Sequence, residues 1–373
     1  MKAVLVLKDG TVIWGRGFGA PRIVVGEVVF TTSMVGYTES LTDPSYAGQI
    51  LVFTYPLIGN YGVPPYEISD KYGLPLHFES SGIKVEGVVV HEPCFKPSHW
   101  ALNRSFVEWL EQEEVPGIWG VDTRGLAAKL REEGVTVGAL AVYEEDEDLD
   151  LTNLFEIIKS MNYDKVNFVK KVSVEKPVFY GEGGRSLIAV LDCGVKHGIL
   201  RSLLAKGFDV MLLPYNTPAD KVDELAPAGI VISNGPGNPE LLNDLVEKVK
   251  ALVEYRYPLL GICLGHQIIS LALGASTYKL RYGHRGSNKP CIDLKTGRCF
   301  VTSQNHGYAV DMNSLKESGV EIWFINADDK SVEGIINLER KILGVQFHPE
   351  ASPGPNDTAW VFDVFAHTLI KNL

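Results

Sequence analysis

The sequence predicts an α/β protein in two parts: an N-terminal α+β domain over residues 1–184 and a C-terminal domain over residues 185–373 built on a largely parallel sheet covered by helices. Three observations carry this reading. A chain of 373 residues is long enough for two full cores. Its first half runs strands ahead of helices, whereas its second alternates short apolar runs with helical segments in the rhythm of βαβ units. Between the halves, residues 175–184 lose periodicity and carry Pro177, Gly181, Gly183 and Gly184, which marks a linker.

The elements follow in order. Residues 3–19 alternate as a β-hairpin turning at Asp9-Gly10. Residues 26–32, 50–54 and 85–91 are strands, and residues 56–65 are broken into turns by Pro and Gly. The polar, Gly/Pro-punctuated stretch 33–49 is expected to be a loop on a rigid base. Residues 105–112 form an amphipathic helix capped by Asn103 or Ser105, and a second helix starts after Asp122 as N-cap. The acidic run 144–150 reads as a solvated turn. After the linker, strands at 187–191, 210–213, 229–233 and 258–262 alternate with helices at 198–205 and 239–255.

Composition narrows the function. A net charge of −11 argues against a general nucleic-acid or anionic-membrane surface. No apolar run approaches membrane-spanning length, and the start MKAVLVLKDG breaks into polar residues too early for a signal peptide. Five scattered cysteines form no paired framework and no CxxC, as expected of reduced thiols in a cytoplasmic protein. His and Cys never fall in metal-ligand spacing, so no metal is expected.

The chemistry centres on PLLGICLGHQ (residues 258–267). Cys263 lies between Gly261 and Gly265, at the junction of a strand and a helix that Gly274 closes. That is a cysteine nucleophile elbow. The glycines let a tight turn pass its neighbours, and the helix N-terminus favours a thiolate. A base is found in GVQFHPE (residues 344–350): Pro349 biases His348 to extended backbone, and residues two apart in a strand share a face, so Glu350 falls beside His348. Cys263, His348 and Glu350 then follow the logic of a catalytic triad. The backbone N–H of Leu264 is a first oxyanion donor, and the loop SNGPGNP, with Gly235 and Gly237 around Pro236, offers a second. The stretch SQNHGY (residues 303–308) is a further substrate loop.

These motifs resemble the class I (triad) glutamine amidotransferases. The resemblance implies that Cys263, His348 and Glu350 hydrolyse the glutamine side-chain amide, with glutamine held by Gly235, Gly237, Leu264, Gln267, Asn305, Gly307 and Tyr308. The motifs VVFTTSMVGYTE (28–39), LTDPSY (41–46), GVDTR (120–124), LDCGVKH (191–197) and ASPGP (351–355) are similar to those of the small, glutaminase subunits of carbamoyl-phosphate synthase. By that resemblance Ser45 reaches the glutamine site, and ammonia passes to a large subunit, in a heterodimer or higher oligomer, that makes carbamoyl phosphate for arginine synthesis, pyrimidine synthesis or both. ATP, bicarbonate and magnesium are expected on that partner, because this chain has no GxxxxGK[ST] loop; no cofactor is expected here. The family commonly has Phe where Tyr308 and Cys193 stand. The alternative is a catalytically silent regulatory or scaffold subunit of the same fold, against which the intact triad argues.

Overall fold

A computed structural model describes residues 1–147 and 149–370, without the side chains of residues 368 and 369. The chain forms two compact units: residues 1–70 with 75–166, and residues 71–74 with 167–373.

The first unit is a closed barrel. Its strands are β1 (Lys2–Leu7), β2 (Val12–Gly19), β3 (Ile23–Thr31), β4 (Gln49–Phe53), β5 (Gly87–Val89), β6 (Pro116–Trp119) and β7 (Thr136–Tyr143), in spatial order β1-β2-β6-β5-β4-β3-β7. The Asp9-Gly10 turn joins β1 to β2 as expected, with Val6 opposite Val12. Strand β1 is apolar from Ala3 to Leu7 because both of its faces are covered there: Ala3, Leu5 and Leu7 join one cluster, and Val4 and Val6 join another with Leu154 and Ile158 of a helix at Leu151–Ser160. Ser105, not Asn103, caps the helix Phe106–Gln112, in a capping box with Glu108. Asp122 caps Thr123–Glu133 through the N–H of Gly125.

Two expectations change here. Residues 33–49 are not a loop: they hold a helix, Tyr37–Thr42, and a 3-10 turn, Pro44–Tyr46. Strands β3 and β4 pair in parallel, which demands a crossover, and this helical segment supplies it. Its buried polar groups are satisfied in part within the segment, with Thr42 Oγ1 donating to Thr38 O at 2.8 Å and Asp43 Oδ1 accepting from Ser45 N at 2.9 Å. The division between units also falls before the expected linker. Residues 178–180 lose periodicity in sequence, yet they pair as an edge strand of the second unit. The acidic run is a turn with exposed residues 144–147, and Asp148 lies outside the described residues.

The second unit is a ten-stranded sheet. Its strands are β8 (Val178–Tyr180), β9 (Leu187–Asp192), β10 (Asp209–Pro214), β11 (Gly229–Ile232), β12 (Leu259–Ile262), β13 (Thr277–Asp293), β14 (Cys299–Val310), β15 (Glu321–Asn326), β16 (Val332–Asn337) and β17 (Ile342–Val345). They lie in the order β8-β10-β9-β11-β12-β17-β16-β15-β13-β14. The centre, β10-β9-β11-β12-β17, is parallel as expected. Beyond β17 the sheet continues antiparallel through β13 and β14, an extension the βαβ rhythm did not announce. Strand β9 shows why the centre reads as continuous apolar runs: Ile188 and Val190 face one core cluster, Ala189 and Leu191 the other. No helix among the described residues is long and apolar enough to cross a membrane.

Candidate active site

Strand β12 runs directly into the cysteine turn. Cys263 has φ 53° and ψ −104°, and a helix, Leu264–Ala272, starts at the next residue. Such a backbone is sparsely populated for a side-chain-bearing residue and costs roughly 1–3 kcal/mol. The flanking glycines are required by contact. A β-carbon on Gly261 would meet the Gly265 carbonyl oxygen at 2.5 Å, and one on Gly265 would meet the Ile232 carbonyl oxygen at 2.0 Å.

Strand β17 pairs with β12, placing Ile262 opposite Val345, and the Cys263 N–H donates to Val345 O at 2.8 Å. The segment carrying Gln346 and His348 therefore leaves the sheet beside the elbow. The His348 N–H donates to Ser303 O at 2.9 Å, and the chain then turns, with Ala351 N donating to His348 O at 3.1 Å. His348 Nδ1 lies 2.6 Å from Glu350 Oε1, with both side chains buried. The pairing is the one expected, but a turn makes it rather than strand alternation. Burial alone would lower the His348 pKa; the Glu350 carboxylate overrides it and holds the ring well above its usual value, with the Cys263 thiol adding to the rise. His348 Nε2, on the opposite side of the ring from Glu350, is left for the Cys263 thiol. Burial would likewise raise Glu350, but Lys196 and His348 hold it well below the usual carboxylate range.

Lys196 is the partner that spacing did not reveal. Its ammonium lies 3.0 Å from Glu350 Oε1 and donates to Ala351 O at 2.5 Å, with its side chain only 2% exposed. Two loops hold it there. Asp192 accepts from the N–H groups of Gly194 and Val195, Ser233 Oγ accepts from Cys193 N, and Asn234 Oδ1 accepts from Lys196 N. Cys193 itself is packed into the core. The only signal for Lys196 in the sequence was its place in the LDCGVKH motif.

The residues expected around glutamine gather largely on this edge. The Asn305 carbonyl oxygen lies 3.6 Å from Cys263 Sγ. Gln267 Nε2 donates to Tyr308 O at 2.8 Å and to Gln346 Oε1 at 2.9 Å, and Gln346 Nε2 lies 3.6 Å from the cysteine sulfur. Gly235 passes close to Leu264: a β-carbon on it would meet Leu264 Cδ2 at 2.8 Å and the Cys193 carbonyl oxygen at 2.2 Å. Gly237, in the same loop after β11, has φ 89°. Gly307 sits between Asn305 and Tyr308 on β14. Ser45 belongs to the first unit, buried in its 3-10 turn.

Strands β13, β14 and β16 also hold a second buried polar cluster. His284, His306 and Glu333 bring ligand-type atoms within 4.8 Å of one another, a grouping that spacing along the chain cannot show. These atoms are engaged with one another and with neighbours. His284 Nε2 is 2.9 Å from Asp329 Oδ2 and its Nδ1 is 3.3 Å from Glu333 Oε1. Gln304 and Asn326 donate to Glu333, and His306 Nδ1 lies 2.8 Å from Tyr308 O. Burial lowers the His284 pKa, but Asp329 and Glu333 outweigh it and raise it to about 9. Burial, then the neighbouring His284 charge, holds His306 well below its usual value, so it is neutral.

Comparison with known proteins places this geometry. Residues 189–368 match the glutamine amidotransferase class-I family, and residues 5–140 match the carbamoyl-phosphate synthase small chain, CPSase domain. The chain is 50% identical to the carbamoyl phosphate synthase small chain of Pyrococcus furiosus over 99% of this chain and 98% of that one. It is 46% identical to the small chain of Sulfolobus acidocaldarius over 98% and 96% of the two chains. It is 45% identical to the arginine-specific small chain of Saccharomyces cerevisiae over 99% and 89%. The second unit thus carries a class-I glutamine amidotransferase domain, and the chain as a whole belongs to the carbamoyl phosphate synthase small chain family.

Proposed function

We propose that this chain is the glutaminase subunit of a glutamine-hydrolysing carbamoyl phosphate synthase. The observation that carries the reading is the buried His348–Glu350 contact beside a glycine-flanked cysteine elbow. Cys263 gives its proton to His348 Nε2, and the thiolate attacks the side-chain carbonyl carbon of glutamine. Backbone N–H groups of Leu264 and of the Gly235–Gly237 loop receive the oxyanion. His348 returns the proton to the amide nitrogen, the C–N bond breaks, and ammonia leaves. Water, deprotonated by His348, then cleaves the γ-glutamyl thioester to glutamate and frees the thiol. Glu350, itself held by Lys196, orients the imidazole and balances its charge. Gln267, Asn305, Gly307, Tyr308 and Ser45 are proposed to bind glutamine.

The family name "small chain" supports a large-chain partner that consumes the ammonia. ATP, bicarbonate and magnesium are assigned to that partner, no cofactor to this chain, and the complex to the cytoplasm, supplying arginine synthesis, pyrimidine synthesis or both.

The test is Cys263→Ala in the reconstituted complex. Glutamine-dependent carbamoyl phosphate synthesis is expected to vanish while ammonia-dependent synthesis continues. Persisting glutamine-dependent turnover would remove Cys263 as the nucleophile, and loss of both activities would point to a structural role and favour the scaffold alternative.

A further inference from the structure

The environment of the Cys263 sulfur contains one side chain that the triad does not use. Gln346 is fully buried, the third residue of the GVQFHPE motif, with its backbone N–H on Glu333 O at 2.8 Å. Its side-chain amide touches the sulfur through one end only, and which end is set by a chain of hydrogen bonds. Tyr308 O is a backbone carbonyl and accepts only, so the Gln267 atom 2.8 Å from it is the amide nitrogen. The same nitrogen lies 2.9 Å from the Gln346 side chain, which must present its oxygen there. The atom left facing Cys263 Sγ at 3.6 Å is Nε2, a donor. Turning either amide over would set donor against donor or oxygen against oxygen, so this polarity does not depend on how the amides are assigned.

We propose that Gln346 is a further catalytic residue, donating its side-chain N–H to the Cys263 sulfur and stabilising it as the thiolate. The proposal rests on Cys263 being the nucleophile. The sulfur then has a partner for each of its states. As a thiol it donates S–H to the Asn305 carbonyl oxygen at 3.6 Å. As a thiolate it receives the Gln346 N–H, a charge-assisted bond that is stronger than its neutral counterpart. The donor is neutral and has no proton to lose, so it favours the charged sulfur without competing with His348 for the proton. When the C–S bond forms, the charge leaves the sulfur and this hydrogen bond weakens, while the oxyanion donors take up the charge. Gln346 therefore acts on the free enzyme, and its contribution is needed again each time the thioester is cleaved. The geometry also ties the nucleophile to β14: Tyr308 orients Gln267, Gln267 orients Gln346, and Gln346 meets the sulfur.

The experiment is the pH dependence of iodoacetamide alkylation at Cys263, read on the Cys263 peptide by mass spectrometry in the full complex. Peptide-level reading separates it from the exposed Cys299 and the half-buried Cys94. Gln346→Met keeps the length but removes the donor; its alkylation midpoint is expected to rise by about one pH unit, with the rate at neutral pH down about tenfold. Gln346→Glu keeps the acceptor for Gln267 but turns a carboxylate oxygen toward the sulfur, and its midpoint is expected to rise further. The Glu variant also guards against a fold defect in the Met variant, since packing loss alone does not order the two midpoints by charge. A wild-type midpoint in both variants, with unchanged melting, overturns the proposal. Failure of the parent reading is separate: it shows as a wild-type complex that does not hydrolyse glutamine.

Discussion

Each buried charge at the site has its opposite within reach, and that decides what single substitutions do. His348 handles the proton, so His348→Asn is expected to slow thioester formation by about 10²–10⁴-fold, and by more than Glu350→Gln. Single-turnover trapping of the thioester measures both, and equal losses would reverse the roles. Lys196→Met leaves the Glu350 carboxylate buried with the imidazole as its remaining charged partner. Breaking a buried pair in this way typically costs about 3–5 kcal/mol. The expected result is a lower melting temperature together with a fall in kcat, and a wild-type melt with wild-type kcat would show the contact to be idle. Cys263, His348 and Glu350 were legible in the sequence because each motif is local: glycines two residues either side, a proline after the histidine, a carboxylate two residues on. Lys196 and Gln346 were not, because what defines them lies at a distance: Ala351 O stands 155 residues from Lys196, and Cys263 Sγ stands 83 from Gln346.

At the scale of elements, the elbow tests directly whether close approach dictates its glycines. Gly265→Ala puts a methyl carbon 2.0 Å from the Ile232 carbonyl oxygen, which is backbone and has no way to swing aside. A loss of about 3 kcal/mol is expected from the forced shift of β11 against the helix, together with loss of Cys263 reactivity; a variant with wild-type melting and alkylation would refute the contact. The helix within residues 33–49 was illegible for the opposite reason. Its residues are polar, and Glu79 N and Ser80 Oγ, well beyond it in sequence, satisfy Thr42. Composition marked a loop where tertiary partners make a helix. The strands β13 to β16 add a pH dependence. His284 is held above its unfolded value of roughly 6.5, so its stabilising contribution is complete below that pH and is lost as pH rises toward about 9. Denaturant unfolding should show stability falling by about 3 kcal/mol across that window. In His284→Asn this part of the slope should be absent, and an identical slope in both proteins would exclude His284 as its source.

For the molecule as a whole, the prediction concerns the partner. Ammonia released with no acceptor ready is wasted, so a glutaminase subunit gains from a triad that is not fully engaged on its own. The chain alone has a route to this property: Cys263 and His348 are anchored by different segments, so their separation is adjustable. A misplacement of about 1 Å between reacting groups costs roughly 10²-fold in rate, so a small shift of the segment after β17 is enough to switch hydrolysis. The levers are short. Cys263 N is tied to Val345 O and His348 N to Ser303 O, so any binding event that moves β14 or β17 moves the cysteine and the histidine differently. The expectation is that the isolated chain hydrolyses glutamine slowly. Glutaminase activity should rise by at least tenfold in the complex with the large chain, and further when ATP and bicarbonate are supplied. Steady-state glutamate release from the two preparations, at saturating glutamine, measures it. An isolated chain already as fast as the fully supplied complex would mean that the triad is complete without its partner.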